Sequence, residues 1–187
     1  MAKSPIKRLN KTVPDAFHGT ELSVAKKIVC EQKFEPGTNE KLYLGKGAYF
    51  YEGSLELAEN WAKKAGKKKG WKKFGVLQAT IQLGACLDLN IPEYYRQLEL
   101  FGEALYNKMK GNKGREEITP AWVINYFIQE KCGKQLDTIR CPYPYKDAKM
   151  FFSESQDLKL YPSYLVICVR NTKNISDISL QLLGLIK

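Results

Sequence analysis

The chain has one histidine, and it stands in Phe17-His18-Gly19-Thr20 beside a glycine that lets another group approach the main chain. An imidazole there can hydrogen-bond a ligand, or it can simply satisfy the end of a strand. Further along, Tyr43-Leu44-Gly45-Lys46-Gly47-Ala48-Tyr49-Phe50 puts two glycines before an aromatic pair. The backbone can bend closely round a flat ligand here while a tyrosine ring serves as its platform, although the same residues suit a turn into a core strand. Ala58 and Trp61-Ala62 then share one face of the next helix, which fits ordinary packing as well as a ligand wall.

In this order and spacing the three features resemble the ADP-ribosyltransferase catalytic domain, in the diphtheria-toxin-like branch that includes the poly(ADP-ribose) polymerases, and within it a bacterial toxin-like member. His18-Gly19-Thr20 and Gly45-Lys46-Gly47-Ala48-Tyr49-Phe50 match that branch's strand-end His-Gly-Thr and its Gly-x-Gly-x-Tyr-Phe strand. Ala58 with Trp61 matches the following helix, with tryptophan in place of the more usual tyrosine. The likeness covers residues 14–62 and extends to 76–90, where a strand ends in Leu-Asp-Leu. It implies an α+β fold, a split of two mainly antiparallel sheets with flanking helices around an NAD cleft. NAD would be the co-substrate, with no metal. His18 would bind the adenosine ribose, the Gly19 backbone the nicotinamide carboxamide, and the Tyr49 ring the nicotinamide, with Thr20, Gly47 and Trp61 completing the cofactor site.

Breaking the glycosidic bond of NAD creates an oxocarbenium-like sugar, so such a site must hold a flat leaving group rigidly and set a carboxylate near the developing charge. In the polymerases that glutamate directly precedes a strand that looks like Tyr164-Leu165-Val166-Ile167-Cys168-Val169-Arg170, and the equivalent residues here are Ser163 and Tyr164. The resemblance therefore assigns the catalytic carboxylate to Glu154, with Asp157 and Asp147 in reserve. His18 and Tyr49 join it as catalytic residues.

Charge suggests the acceptor. Thirty Lys and Arg face twenty Asp and Glu, and residues 1–75 hold 16 basic and 8 acidic side chains. Lys67, Lys68, Lys69, Lys72 and Lys73 crowd around Trp71, with Lys63 and Lys64 just upstream. Such a run suits a phosphate backbone, with the indole free to stack on a base, although it equally reads as a solvated segment. The expected reaction is ADP-ribose transfer to a nucleic acid, RNA or DNA, in the manner of a toxin or phage-defence effector with a neutralising antitoxin partner. The competing readings are modification of a protein side chain and a non-catalytic nucleic-acid-binding module.

At 187 residues, 44% hydrophobic and 27% charged, the chain is expected to form one domain over 14–187 behind a basic tail at 1–13. No apolar run approaches 18 residues and the N-terminus lacks an apolar segment, so a cytoplasmic protein without membrane contact is expected. Five cysteines in five segments, with no Cys-x-x-Cys pair and one histidine, argue against a disulfide scaffold or a zinc site; Cys30, Cys86 and Cys168 are expected in the core.

The elements that must position the site follow from pattern. A strand at 14–18 leads to a helix capped by Thr20, in which Leu22, Ala25, Ile28 and Val29 share a face. Residues 41–53 are extended, and Ser54 caps a helix over 55–64. A core strand covers 74–89, and helices cover 91–110 and, behind a Thr119-Pro120 start signal, 119–132. Strands follow at 137–141, 148–155, 164–170 and 178–183.

Overall fold

A computed structural model describes residues 6–35, 37, 42–109, 119–132, 136–143 and 164–186. Six strands and four α-helices appear among them: β1 (Ile6–Glu21), α1 (Leu22–Glu31), β2 (Ala48–Glu52), α2 (Leu55–Lys69), β3 (Lys73–Asp88), α3 (Pro92–Lys108), α4 (Pro120–Cys132), β4 (Thr138–Tyr143), β5 (Tyr164–Val169) and β6 (Ile175–Leu185). The fold is α+β, as expected.

The strands join in one six-stranded sheet of order β1-β2-β5-β4-β3-β6, closed by a further pairing of β1 with β3. All ladders are antiparallel except β3 with β4. Two wings are recognisable within it. In one, β3 pairs with β1 from Ile6↔Leu87 to Glu21↔Phe74 and carries β6 on its other edge. In the other, β5 lies between β2 and β4. Short ladders join the wings: two residue pairs between β1 and β2, and three between β3 and β4. The expected division into two sheets is thus a single sheet with two thin seams.

Residues 6–13, expected as a tail, instead form the first half of β1, because the 16-residue β3 offers Ile81 to Leu87 as a pairing edge and Val13 drops into the core. The expected cap Thr20 is likewise inside β1, and Glu21 takes the N-cap position of α1 without a side-chain bond. The two later caps hold: Ser54 Oγ accepts from the Leu57 N–H at 3.3 Å, and Thr119 Oγ1 from the Trp122 N–H at 3.2 Å. Cys86 and Cys168 are buried, but Cys30 falls on the exposed side of α1, whose inward face is Ala25 and Ile28. The strand expected at 148–155 lies outside the described residues.

Three apolar clusters follow from this arrangement. The largest joins β1, β2, β3 and β5 to α1 through Val13, Ala16, Phe50, Ile81, Ile167 and Ala25. A second sets Ile124, Phe127 and Ile128 of α4 on β4 and β5. The third packs Ala58 and Ala62 of α2 on Phe74 and Val76 of β3. No described helix is long and apolar enough to cross a membrane.

A charged cluster ties three strands together. Arg140 on β4 donates to Glu52 on β2 through Nε at 2.6 Å and Nη2 at 2.8 Å, and to Asp88 at the end of β3 through Nη1 at 3.0 Å. Arg140 and Asp88 are buried. Lys11 of β1 approaches Glu52 at 3.9 Å from a solvent-exposed position. The fork geometry of guanidinium lets one residue satisfy both carboxylates, and removing one partner of a buried pair leaves the others uncompensated. Arg140→Leu is therefore expected to lower unfolding free energy by about 3–5 kcal/mol, whereas Lys11→Ala should change it by less than about 0.5 kcal/mol. Urea denaturation of both variants checks this; equal losses would show that the cluster does not hold the strands.

Candidate functional site

The site begins where β1 and β2 part. The Gly53 N–H donates to the Asp15 carbonyl at 2.7 Å, so alternation along an antiparallel edge turns the polar groups of Asp15, Phe17 and Gly19 toward β2. The ladder ends at Phe17↔Tyr51. A continued ladder would set Gly19 against Tyr49, but the Tyr49 carbonyl instead accepts from His18 Nδ1 at 2.8 Å. Main-chain groups of Gly19 consequently face the opening.

That opening is a cavity of about 430 Å³. All six residues named as cofactor-binding from the sequence line it: His18, Gly19, Thr20, Gly47, Tyr49 and Trp61. They come from β1, the approach to β2, β2 itself and α2, so the tertiary fold brings together what the chain spreads over 44 positions. Sequence reasoning missed Phe34, Glu35, Tyr43, Tyr51 and Tyr143, which also line it. Glu35 is the one carboxylate among the described residues of the lining. Nothing in its neighbourhood marked it, because the α1–β2 segment has no periodicity to set its direction. Glu154, Asp157 and Asp147 lie outside the described residues.

His18 sits in an aromatic box. Its ring meets Phe34 edge-on at 5.2 Å, Phe50 at 5.5 Å and Trp61 at 6.5 Å between centroids. Since a carbonyl has no proton to give, Nδ1 carries the hydrogen, and Nε2 is left as an acceptor. Burial lowers the His18 pKa from its ordinary 6.5, with the bond to Tyr49 acting weakly in the other direction. The imidazole is neutral at physiological pH.

Tyr49 has two jobs on two parts of its side chain. Its hydroxyl donates to the Gly45 carbonyl at 2.7 Å and accepts from the Leu44 N–H at 3.2 Å, which fixes the glycine turn, while its ring faces the cavity. Burial raises its pKa well above the ordinary 10, with further contributions from nearby Cys168, so the phenol stays protonated.

The glycines are required for reasons other than ligand approach. A Cβ on Gly19 would stand 2.2 Å from the Ala58 carbonyl oxygen and 2.8 Å from the Ala62 Cβ, so this glycine and the two alanines let α2 lie directly on β1. A Cβ on Gly47 would lie 2.5 Å from Cys168 Sγ and 2.8 Å from the Val169 oxygen, so its bare side is spent on β5. Trp61, on the same helix as Ala58 and Ala62 but turned away from the core, is 42% exposed and forms the cavity's rim.

The lysine run is helical for most of its length. Helix α2 continues past the expected end at 64 to Lys69, where Gly70 at φ 73° closes it. Lys67, Lys68 and Lys69 occupy the last turn, where cations complement the helix dipole. Trp71 is half-buried, with Lys69 Nζ 5.3 Å from its ring centroid and its edge against Gly66, so it is not the free stacking platform expected. Lys72 and Lys73 are exposed at the start of β3. No group of three or more His, Cys, Asp or Glu is placed to hold a metal ion among the described residues.

No family model matches the chain. It is 24% identical over 140 residues to an uncharacterized protein of Methanocaldococcus jannaschii, a match covering 68% of this chain and 64% of that protein. The chain thus spans a little under two thirds of that relative's length. The relative brings no assigned activity, and the cavity alone carries the functional reading.

The state of His18 can be measured. With a folded-state pKa below 6.5, the folded protein binds fewer protons than the unfolded chain at acid pH, so stability present above about pH 6.5 is lost as the pH falls toward the lowered value. His18→Gln, which cannot titrate, should abolish that part of the decline. Denaturant midpoints compared from pH 7.5 down to pH 5 read it; parallel curves for the two proteins would mean that the imidazole is not held neutral.

Proposed function

We propose that the protein transfers ADP-ribose from NAD to a nucleic acid, releasing nicotinamide. The observation that carries this reading is the convergence of His18, Gly19, Thr20, Gly47, Tyr49 and Trp61 on one cavity at the split between β1 and β2. In the ADP-ribosyltransferase reading each has a physical task. The Nε2 lone pair of neutral His18 accepts from a hydroxyl of the adenosine ribose. Adjacent N–H and C=O groups of Gly19 match the donor and acceptor of a carboxamide, which the unpaired edge leaves them free to do. The ring of Trp61, on the His18 side of the cavity, covers the nicotinamide and orients it, whereas the Tyr49 ring, expected in that role from the sequence, packs on Tyr43 across the other face of β2. Glu154 supplies the carboxylate that stabilises the cationic sugar as the glycosidic bond breaks.

The charge distribution supports a nucleic-acid acceptor. Helix α2 carries Trp61 at the rim of the cavity and Lys69 eight residues later, about 12 Å along its axis. A polyanion held on the last turn of α2 and on Lys72 and Lys73 would therefore lie within a short reach of the cavity.

Incubation with NAD should release nicotinamide, faster when single-stranded RNA or DNA is present. His18→Ala and Trp61→Ala should lose this activity while remaining folded, and Glu154→Gln should reduce the rate by about 10² or more. Comparison with Glu35→Gln decides between the two acidic residues. No nicotinamide from the wild type with either nucleic acid would remove the transfer reading.

The acceptor has its own measurement. Replacing Lys67, Lys68, Lys69, Lys72 and Lys73 with Gln should weaken binding of a single-stranded oligonucleotide and flatten its log-log salt dependence by about 0.7 for each phosphate that is no longer neutralised. An unchanged slope would return the cluster to a solvated face.

A further inference from the structure

The cavity has two compartments, because it wraps the edge of β2. On one face of that strand Phe50 packs with His18 and Phe34. On the other, Tyr51 meets Tyr143 of β4 edge-on at 5.5 Å, and Tyr43 leans on Tyr49 at 6.1 Å. Val166 of β5 completes this second compartment. Its walls are tyrosine rings and its polar atoms are phenols. Tyr43 and Tyr51 are held protonated by burial.

One atom here is out of place in a finished core. The Tyr43 hydroxyl is buried and has no hydrogen-bond partner among the described residues. A buried polar group without a partner is destabilising, and tyrosine hydroxyls that are buried usually find one. Phenylalanine would fill the same space at no such cost. A hydroxyl retained without a partner on a residue that lines the cavity is a donor waiting for an acceptor atom.

We propose that the Tyr43–Tyr51–Tyr143 compartment binds a nucleobase of the acceptor strand, and that the Tyr43 hydroxyl donates to a ring carbonyl oxygen of that base. The word acceptor rests on the transfer reading: NAD occupies the His18 and Trp61 side, and the base enters from the tyrosine side. A site whose buried donor must be matched favours bases with a ring carbonyl, guanine, cytosine, thymine and uracil, over adenine, which has none.

Tyr43→Phe tests this in two directions. If the hydroxyl is unsatisfied in the free protein, its removal raises the melting temperature by about 2–4 °C, the shift expected for a chain of this size. Binding of fluorescent oligo(dT) and oligo(dC), measured against oligo(dA) without NAD, should fall about tenfold in preference. Interactions with phosphate are common to all three strands and cancel in the ratio. A lower melting temperature, or an unchanged preference, overturns the proposal. So does an unchanged preference with weakened binding of free nicotinamide, which would assign the hydroxyl to the NAD side. Failure of the wild type to release nicotinamide from NAD removes the transfer reading but leaves the base preference and the melting shift to stand or fall separately.

Discussion

Where β1 leaves β2, a single imidazole nitrogen takes the carbonyl that the next backbone amide would have used. Two strands that part in the middle of a sheet expose unpaired main-chain groups on both edges, which is costly unless something answers them. His18 answers the β2 edge at Tyr49. It leaves the β1 edge at Gly19 open, and that asymmetry is what turns a broken ladder into a cavity. The bond also sets the tautomer of the histidine, so the same contact that wedges the strands prepares the other ring nitrogen as an acceptor.

The wedge is stable because the sheet is held elsewhere. Arg140 gathers Glu52 and Asp88 from β2 and β3, and the long β1–β3 ladder keeps the first wing stiff. Helix α2 lies against the back of β1, close enough that only glycine fits at position 19. A split sheet needs such bracing, since each seam between the wings is only two or three residue pairs long. The cavity sits at the weaker seam. Charge binds the stronger one from a position with little exposure, where the attraction is poorly screened.

Polar groups around the cavity divide by whether the fold has already used them. The Tyr49 hydroxyl is spent on the turn at Gly45, and the bare side of Gly47 is spent on β5. Among the described residues, what remains unspent is the second nitrogen of His18, the edge of Gly19, the exposed face of Trp61, the carboxylate of Glu35 and the hydroxyl of Tyr43. These are the groups through which a ligand would be recognised, and they are few and convergent, as expected of a small-molecule site.

The sequence by itself determined the α+β class, the order of most elements and six residues of the cavity, because caps, glycines and apolar periodicity are local signals that survive without a fold. Ser54 and Thr119 cap where they were expected to, and β3 and β5 lie where apolar alternation and β-branched residues put them. Only the tertiary structure decided the rest. Residues 6–13 became strand because β3 had a free edge to offer, which no property of the segment announces. Trp61 became rim where helical spacing allowed core, because the small residues Ala58 and Ala62 took the contact with β1. Trp71 folded back under Lys69 once α2 ran one and a half turns further than its composition suggested. Which of two faces a side chain occupies depends on partners distant in the chain, and pattern alone carries no record of them.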